Sequence, residues 1–214
     1  MRTLALILLP LLIAAPMRAQ SVEAAAGNIL YRPRCGVQAR TLTRSGQDSE
    51  PRLSADGAQV AFVRTGAAGG EPSSIWIVRT DGSGLRRLVQ SRADEAPERN
   101  LEGLRGPVFS PDGARVYFRS AAWATSNAVH VADLATGAER YLIPGNSVDV
   151  VPAGSYAGHL LVDQHRYHLA GGSYDWTWLF TPDGREVGSI GETEGAVRDF
   201  LEAEAGPLPE PSCR

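Results

Sequence analysis

The sequence predicts an all-β protein: a small β-propeller of about four blades of four antiparallel strands, with one reading in which the two chain ends close the ring. Two observations carry this. The stretch "RLSADGAQVAF" (52–62) is written again as "VFSPDGARVYF" (108–118), and each copy is followed by a second hairpin, "SIWIVRTDGSGLRRLV" or "NAVHVADLATGAERYLI". Within these units no helix-period pattern competes with the alternation of large and polar residues. Four-stranded units recurring along a chain are the signature of propeller blades, because one such sheet cannot bury its apolar faces alone.

The chain opens with "MRTLALILLPLLIAAPMRAQ". Arg2 supplies a positive start, Leu4 to Ala15 an apolar core, and Ala19 a small residue at a cleavage point. That is the build of a secretory signal peptide over 1–19, which predicts a periplasmic or secreted protein. No second apolar run follows, so no transmembrane segment is expected after cleavage. Removing Arg2 and Arg18 takes the formal charge from −3 to −5. A mildly acidic chain offers no electrostatic footprint for nucleic acid, so no nucleic-acid partner is expected.

Residues 20–214 read as one domain, and its repeats follow in order. "NILYRPRCGVQARTLT" matches a second hairpin alone, with Gly36 at the turn, and makes a half blade over 27–44. The next unit, 49–91, has turns at Asp56-Gly57 and Asp81-Gly82. The one after it, 105–143, has turns at Asp112-Gly113 and Thr136-Gly137. Asp can hydrogen-bond its own turn backbone and Gly accepts positive φ, so these dipeptides mark tight hairpins. Pro51 and Pro107 stand at matching places before the first strand, where a missing N–H is tolerated. A degenerate unit, 147–191, keeps the second hairpin around Asp183-Gly184 and a longer strand, "HLLVDQHRYHL".

The tail, 195–214, reads two ways. "AVRDFLEAEAG" is either a short amphipathic helix with Val197, Phe200 and Leu201 on one side, or the missing first hairpin of the half blade. The second reading would close the ring and set Cys213 beside Cys35, the only two cysteines, so a disulfide is expected in an oxidising compartment.

"RLSADGAQVAF", "VFSPDGARVYF" and "IWIVRTDGSGLRRL" together resemble the Pro-Asp-type, WD-like repeat of the TolB-like β-propeller family. The resemblance is strong over 49–143 and weak over 27–44 and 145–191, and it describes a short member. It implies a propeller that presents loops and a central channel to partner proteins or ligands. It does not imply an activity, because such repeats occur in binding proteins and beside catalytic domains alike.

Candidate site residues fall into two sets. Trp123, in the loop "SAAWATSN", has no counterpart in the other unit. Tyr174 and Trp176 belong to "GGSYDWTW", where aromatic and polar residues alternate, and Arg105 opens the strand before "GPVF". Aromatic and arginine side chains on loops suit recognition of a protein or a carbohydrate. The second set is His159, Asp163 and His165, which share one strand face. The oligogalacturonate lyases, built on TolB-like propellers, use His with a metal ion, so the resemblance makes these three the metal residues of a second reading. "AGSYAG" lacks a serine at the centre of a nucleophile elbow, and "DGSG" is a turn. The leading expectation is an exported, non-catalytic binding module of the cell envelope with a protein partner and no cofactor. The alternative is a propeller-type lyase or hydrolase acting on polysaccharide with a divalent metal.

Overall fold

The computed structural model describes residues 20–33, 37–66 and 72–206. They form four antiparallel sheets whose strands lie in chain order. The first holds β1 (Ser21–Ala25), β2 (Asn28–Arg32) and β3 (Arg40–Thr41). The second holds β4 (Asp48–Leu53), β5 (Gln59–Arg64), β6 (Ser74–Arg79) and β7 (Arg86–Gln90). The third holds β8 (Arg105–Phe109), β9 (Arg115–Ser120), β10 (Ala128–Asp133) and β11 (Glu139–Pro144). The fourth holds β12 (Asp149–Val150), β13 (Leu160–Tyr167), β14 (Ser173–Phe180) and β15 (Glu186–Gly191), and the helix α1 (Glu194–Ala205) follows it.

The turn chemistry is local and repeated. Asp56 Oδ1 accepts hydrogen bonds from the Ser54 hydroxyl at 2.6 Å and the Ala58 N–H at 3.0 Å. Asp112 does the same with Ser110 and Ala114. In the fourth sheet Asp183 takes the Thr181 hydroxyl, at the β14–β15 turn instead of the first turn. These hydroxyl bonds hold all three carboxyls below the usual carboxylate range.

Strands β4 and β8 carry matching bulges. Register shifts between Ser49 and Arg52 and between Arg105 and Val108. Glu50 takes φ 51° and Gly106 φ 60°. A non-glycine residue there is strained by about 1–2 kcal/mol. The Glu50 carboxylate compensates by accepting the Gly106 N–H at 2.6 Å, which ties the second sheet to the third.

Neighbouring sheets bury each other's faces. Ile29, Tyr31, Val60, Phe62 and Val78 pack between the first and second sheets. Val63, Ile75, Leu104, Phe109 and Phe118 pack between the second and third. Tyr117, Val129, Leu160, Val162 and Phe180 pack between the third and fourth. The far face of the first sheet carries Glu23 and Arg32, 3.9 Å apart, and is wet. The far face of the fourth carries Val151, Leu161 and Leu179, and α1 covers it with Val197, Phe200 and Leu201. Among the described residues no apolar cluster joins the first sheet to the fourth.

Two expectations are corrected here. The segment "AVRDFLEAEAG" is a helix, not a closing hairpin: Thr193 caps it through the Ala196 N–H at 3.2 Å, and its apolar stripe finds the fourth sheet's open face. The Cys35–Cys213 bridge is not present among the described residues, and both cysteines lie outside them. Its premise, a tail strand laid beside the half blade, is removed by α1. The expected leader, 1–19, also lies outside the described residues, and no helix within them is long and apolar enough to cross a membrane.

His130, on β10, is fully buried, stacked on Phe118 at 5.4 Å, and its Nε2 shares a 2.8 Å hydrogen bond with the Ser120 hydroxyl. Burial lowers its pKa from 6.5 to about 4. The unfolded chain therefore takes up a proton first, and stability falls as pH drops from about 6.5 towards 4, by about 3 kcal/mol from this group. Urea unfolding at pH 7, 5.5 and 4.5 should show that acid limb. A His130→Leu, Ser120→Ala double variant, which removes both partners, should lose most of it.

Candidate functional site

The Glu50–Gly106 bond between the second and third sheets and the Asn146–Asp163 bond between the third and fourth set the ends of β5, β9 and β13, with the loops that follow them, on one side of the molecule. Arg105 stands opposite Arg119, near the end of β9, so Arg105 lies on that side too. Trp123 lies in the β9–β10 loop, 36% exposed, with its ring 6.3 Å from Tyr141. Tyr174 and Trp176 lie at the start of β14, on the sheet face that meets the third sheet. Their rings are 5.5 Å apart, and Trp176 is 36% exposed. The four binding residues expected from sequence therefore stand at one end of the molecule, on two adjacent sheets.

The ladder continues inward. Trp178 packs against the core between the third and fourth sheets, with the Arg166 guanidinium 3.5 Å from its ring centre. Arg166 is held there by Glu186 at 2.7 Å and by Gln164. Beyond the ladder, Tyr167 and Leu169 project at 67% and 110% exposure, because the β13–β14 hairpin runs past the edge of the third sheet.

On the opposite face of the fourth sheet lies a groove of about 670 Å³ between β12, β13, β14 and the start of α1. Val150, Leu161, Val197 and Leu201 give it an apolar floor, and Asp149, Asp163, Asp175 and Glu194 line its rim. Asn146 joins this groove to the Trp123 loop. Its N–H donates to Asp163 O at 2.7 Å, its Nδ2 donates to Thr125 O at 3.1 Å, and its Oδ1 accepts the Asn127 N–H at 3.1 Å. Arg119 donates from Nη1 to Asn146 O. Thr177 donates its hydroxyl to Asp163 at 2.5 Å.

Charge on this side is mixed. Asp149 is reachable by solvent but sits among protein atoms on the inner strand. Desolvation pushes its carboxyl up and Asp163 adds to the effect, while Arg52 and Arg119 oppose it. Burial lowers the pKa of Arg119, and Arg105 lowers it further.

The three metal candidates are held by separate neighbours. His159 precedes β13 and packs edge-on against Tyr156 at 5.3 Å. Asp163 accepts from Thr177, and His165 Nδ1 bonds Asp175 at 2.9 Å. The six residue steps of extended chain from His159 to His165 span about 20 Å, more than one ion can bridge. Among the described residues no group of three or more His, Cys, Asp or Glu is placed to hold a metal ion.

Sequence reasoning missed Asn146, Arg119, Asp149 and Thr177. Asn146 stands in "PGNS", which reads only as a turn, and nothing local says that this turn reaches the neighbouring sheet's loop.

The arrangement of these sheets recurs in solved structures. A protein assigned as TolB from Agrobacterium tumefaciens superposes with a TM-score of 0.57 at 15% identity, over 80% of this chain and 57% of that one. The fold is β-propeller-like. An oligogalacturonate lyase from Vibrio parahaemolyticus gives a TM-score of 0.52 at 11% identity, over 78% of this chain and 43% of that one. This chain thus spans about half the length of each. No protein-family model matches it, and no curated protein matches it at significance. Identities this low establish a shared fold and no shared chemistry. The likeness extends to non-catalytic and catalytic propellers alike.

Asp149 has a testable consequence. A carboxyl whose folded pKa is raised costs the native state stability once pH rises above its ordinary value, and the cost is absent below it. Asp149→Asn should therefore raise the melting temperature at pH 7 and give no gain at pH 3, read by thermal unfolding at both values.

Proposed function

We propose that this chain is an exported, non-catalytic binding module of the cell envelope that captures a partner protein on the side bearing Trp123, Trp176, Tyr174 and Arg105. The observation that supports it is that exposed aromatic and arginine side chains of two adjacent sheets stand at the same end of the molecule, where Asn146 ties the Trp123 loop to β13. Trp, Tyr and Arg are the residues that dominate binding energy in protein interfaces. Tyr174 and Trp176 stand on regular strand, which presents them at little cost in ordering. Export rests on the amino-terminal residues alone.

The test is capture by the tagged protein, residues 20–214, from an envelope extract, repeated with Trp123→Ala, Trp176→Ala and a control, Leu85→Ala. Leu85 is 45% exposed and lies in the β6–β7 turn, on the other side. The expected result is near-equimolar recovery of one protein, weakened about tenfold or more by either tryptophan change and unaffected by the control. Equal recovery by all four baits, or none above a mock bait, would overturn the reading.

A further inference from the structure

A second concavity lies on the second sheet, away from the groove beside α1. It has a volume of about 320 Å³ and is lined by Arg64, Arg87, Trp76, Gln90, Ser74 and Ser91 among others. We infer that this pocket is a binding site for a small organic monocarboxylate, held by Arg64, Arg87 and Ser91.

The site is built from behind. Asp48, 2% exposed, accepts from Arg64 Nε at 2.6 Å and Nη2 at 2.9 Å. Burial alone would raise the Asp48 pKa, but hydrogen bonds from Arg64, Thr43 and Ser45 outweigh it and keep the carboxylate ionised. The Arg64 guanidinium also lies 4.4 Å from the Trp76 ring centre, and Trp76 Nε1 is fixed by the Ser74 hydroxyl at 2.9 Å. Arg64 is thus locked in place with Nη1 outside the Asp48 pair, and a locked fork loses little entropy on meeting a second carboxylate.

Two further residues line the same space. Arg87 stands opposite Trp76 on β7. Ser91 is 6% exposed, and its buried hydroxyl has no hydrogen-bond partner among the described residues. A buried hydroxyl left unpaired is costly, and a ligand oxygen that reached it would recover that cost. Among the described residues no carboxylate lines the pocket.

Charge selects the ligand. Among the described residues Asp48 cancels Arg64, so their part of the wall presents close to one net positive charge, from Arg87. A monocarboxylate matches that charge and fits the guanidinium fork. A phosphate dianion would be left half compensated in a partly dry site.

The experiment is calorimetric titration of residues 20–214 with sodium benzoate, benzamide and inorganic phosphate at constant ionic strength. The titrations are repeated in a Glu71→Gln background, which removes the one carboxylate of the chain joining Gly66 to Pro72. Benzoate should saturate in the millimolar range, about tenfold more tightly than benzamide or phosphate. Arg87→Gln and Ser91→Val, with unchanged melting temperatures, should each weaken it about fivefold or more. Equal binding of benzamide, tighter binding of phosphate, no effect of either substitution, or no saturation in both backgrounds would overturn the assignment.

Discussion

A blade sheet that is apolar on both faces cannot stand alone, and this requirement organises the molecule. Each interior sheet alternates its side chains into two clusters, so β9 sends Val116 and Phe118 one way and Tyr117 the other. Burying such a side chain contributes about 1.5–3 kcal/mol, far more than any single hydrogen bond in the turns. The constraint passes along the stack until something other than a sheet satisfies it. At one end a wet face carrying Glu23 and Arg32 does so, and at the other α1 lies over Leu161 and Leu179. The helix is therefore a consequence of the fourth sheet's exposed face as much as of its own sequence.

Polar groups set the alignment that burial leaves free. Apolar faces slide past one another at little cost, whereas a 2.6 Å bond from the Gly106 N–H to the Glu50 carboxylate does not. The same division of labour appears at the loop junction. There Asn146 engages three backbone groups and fixes the Trp123 loop against the fourth sheet. The surface that presents the aromatic residues is thus held by a few directional contacts placed over a non-directional core. Binding surfaces on propeller-like folds gain their precision in this way, because loops are free to vary while the sheets beneath them are not.

The kinship with TolB and with oligogalacturonate lyase is one of architecture. The lyase reading would need His159, Asp163 and His165 to meet at one ion. The strand instead spreads the two histidines apart and gives each candidate its own neighbour, Tyr156, Thr177 or Asp175. What distinguishes this chain from a generic blade stack is the long β13–β14 hairpin with its aromatic ladder, together with the groove beside α1, acidic at its rim, and the concavity lined by Arg64 and Arg87.

The sequence by itself determined the hairpins. Asp56-Gly57, Asp112-Gly113 and Asp183-Gly184 encode turns whose chemistry is contained within five residues, so local reading recovers them, and the alternation between them recovers the strands and the blade-like units. It also carried the pairing of Trp176 with Tyr174 on one face, since strand parity is a local property. The tail was decided otherwise. "AVRDFLEAEAG" satisfies a helix and a hairpin about equally well in isolation, and only the open apolar face of Leu161 and Leu179 selects the helix. Asn146, Arg119 and Ser91 likewise carry no mark in the sequence, because their roles depend on which sheet lies beside them. Contacts between sheets join residues far apart in the chain, and a repeat that encodes each sheet locally does not record its neighbours.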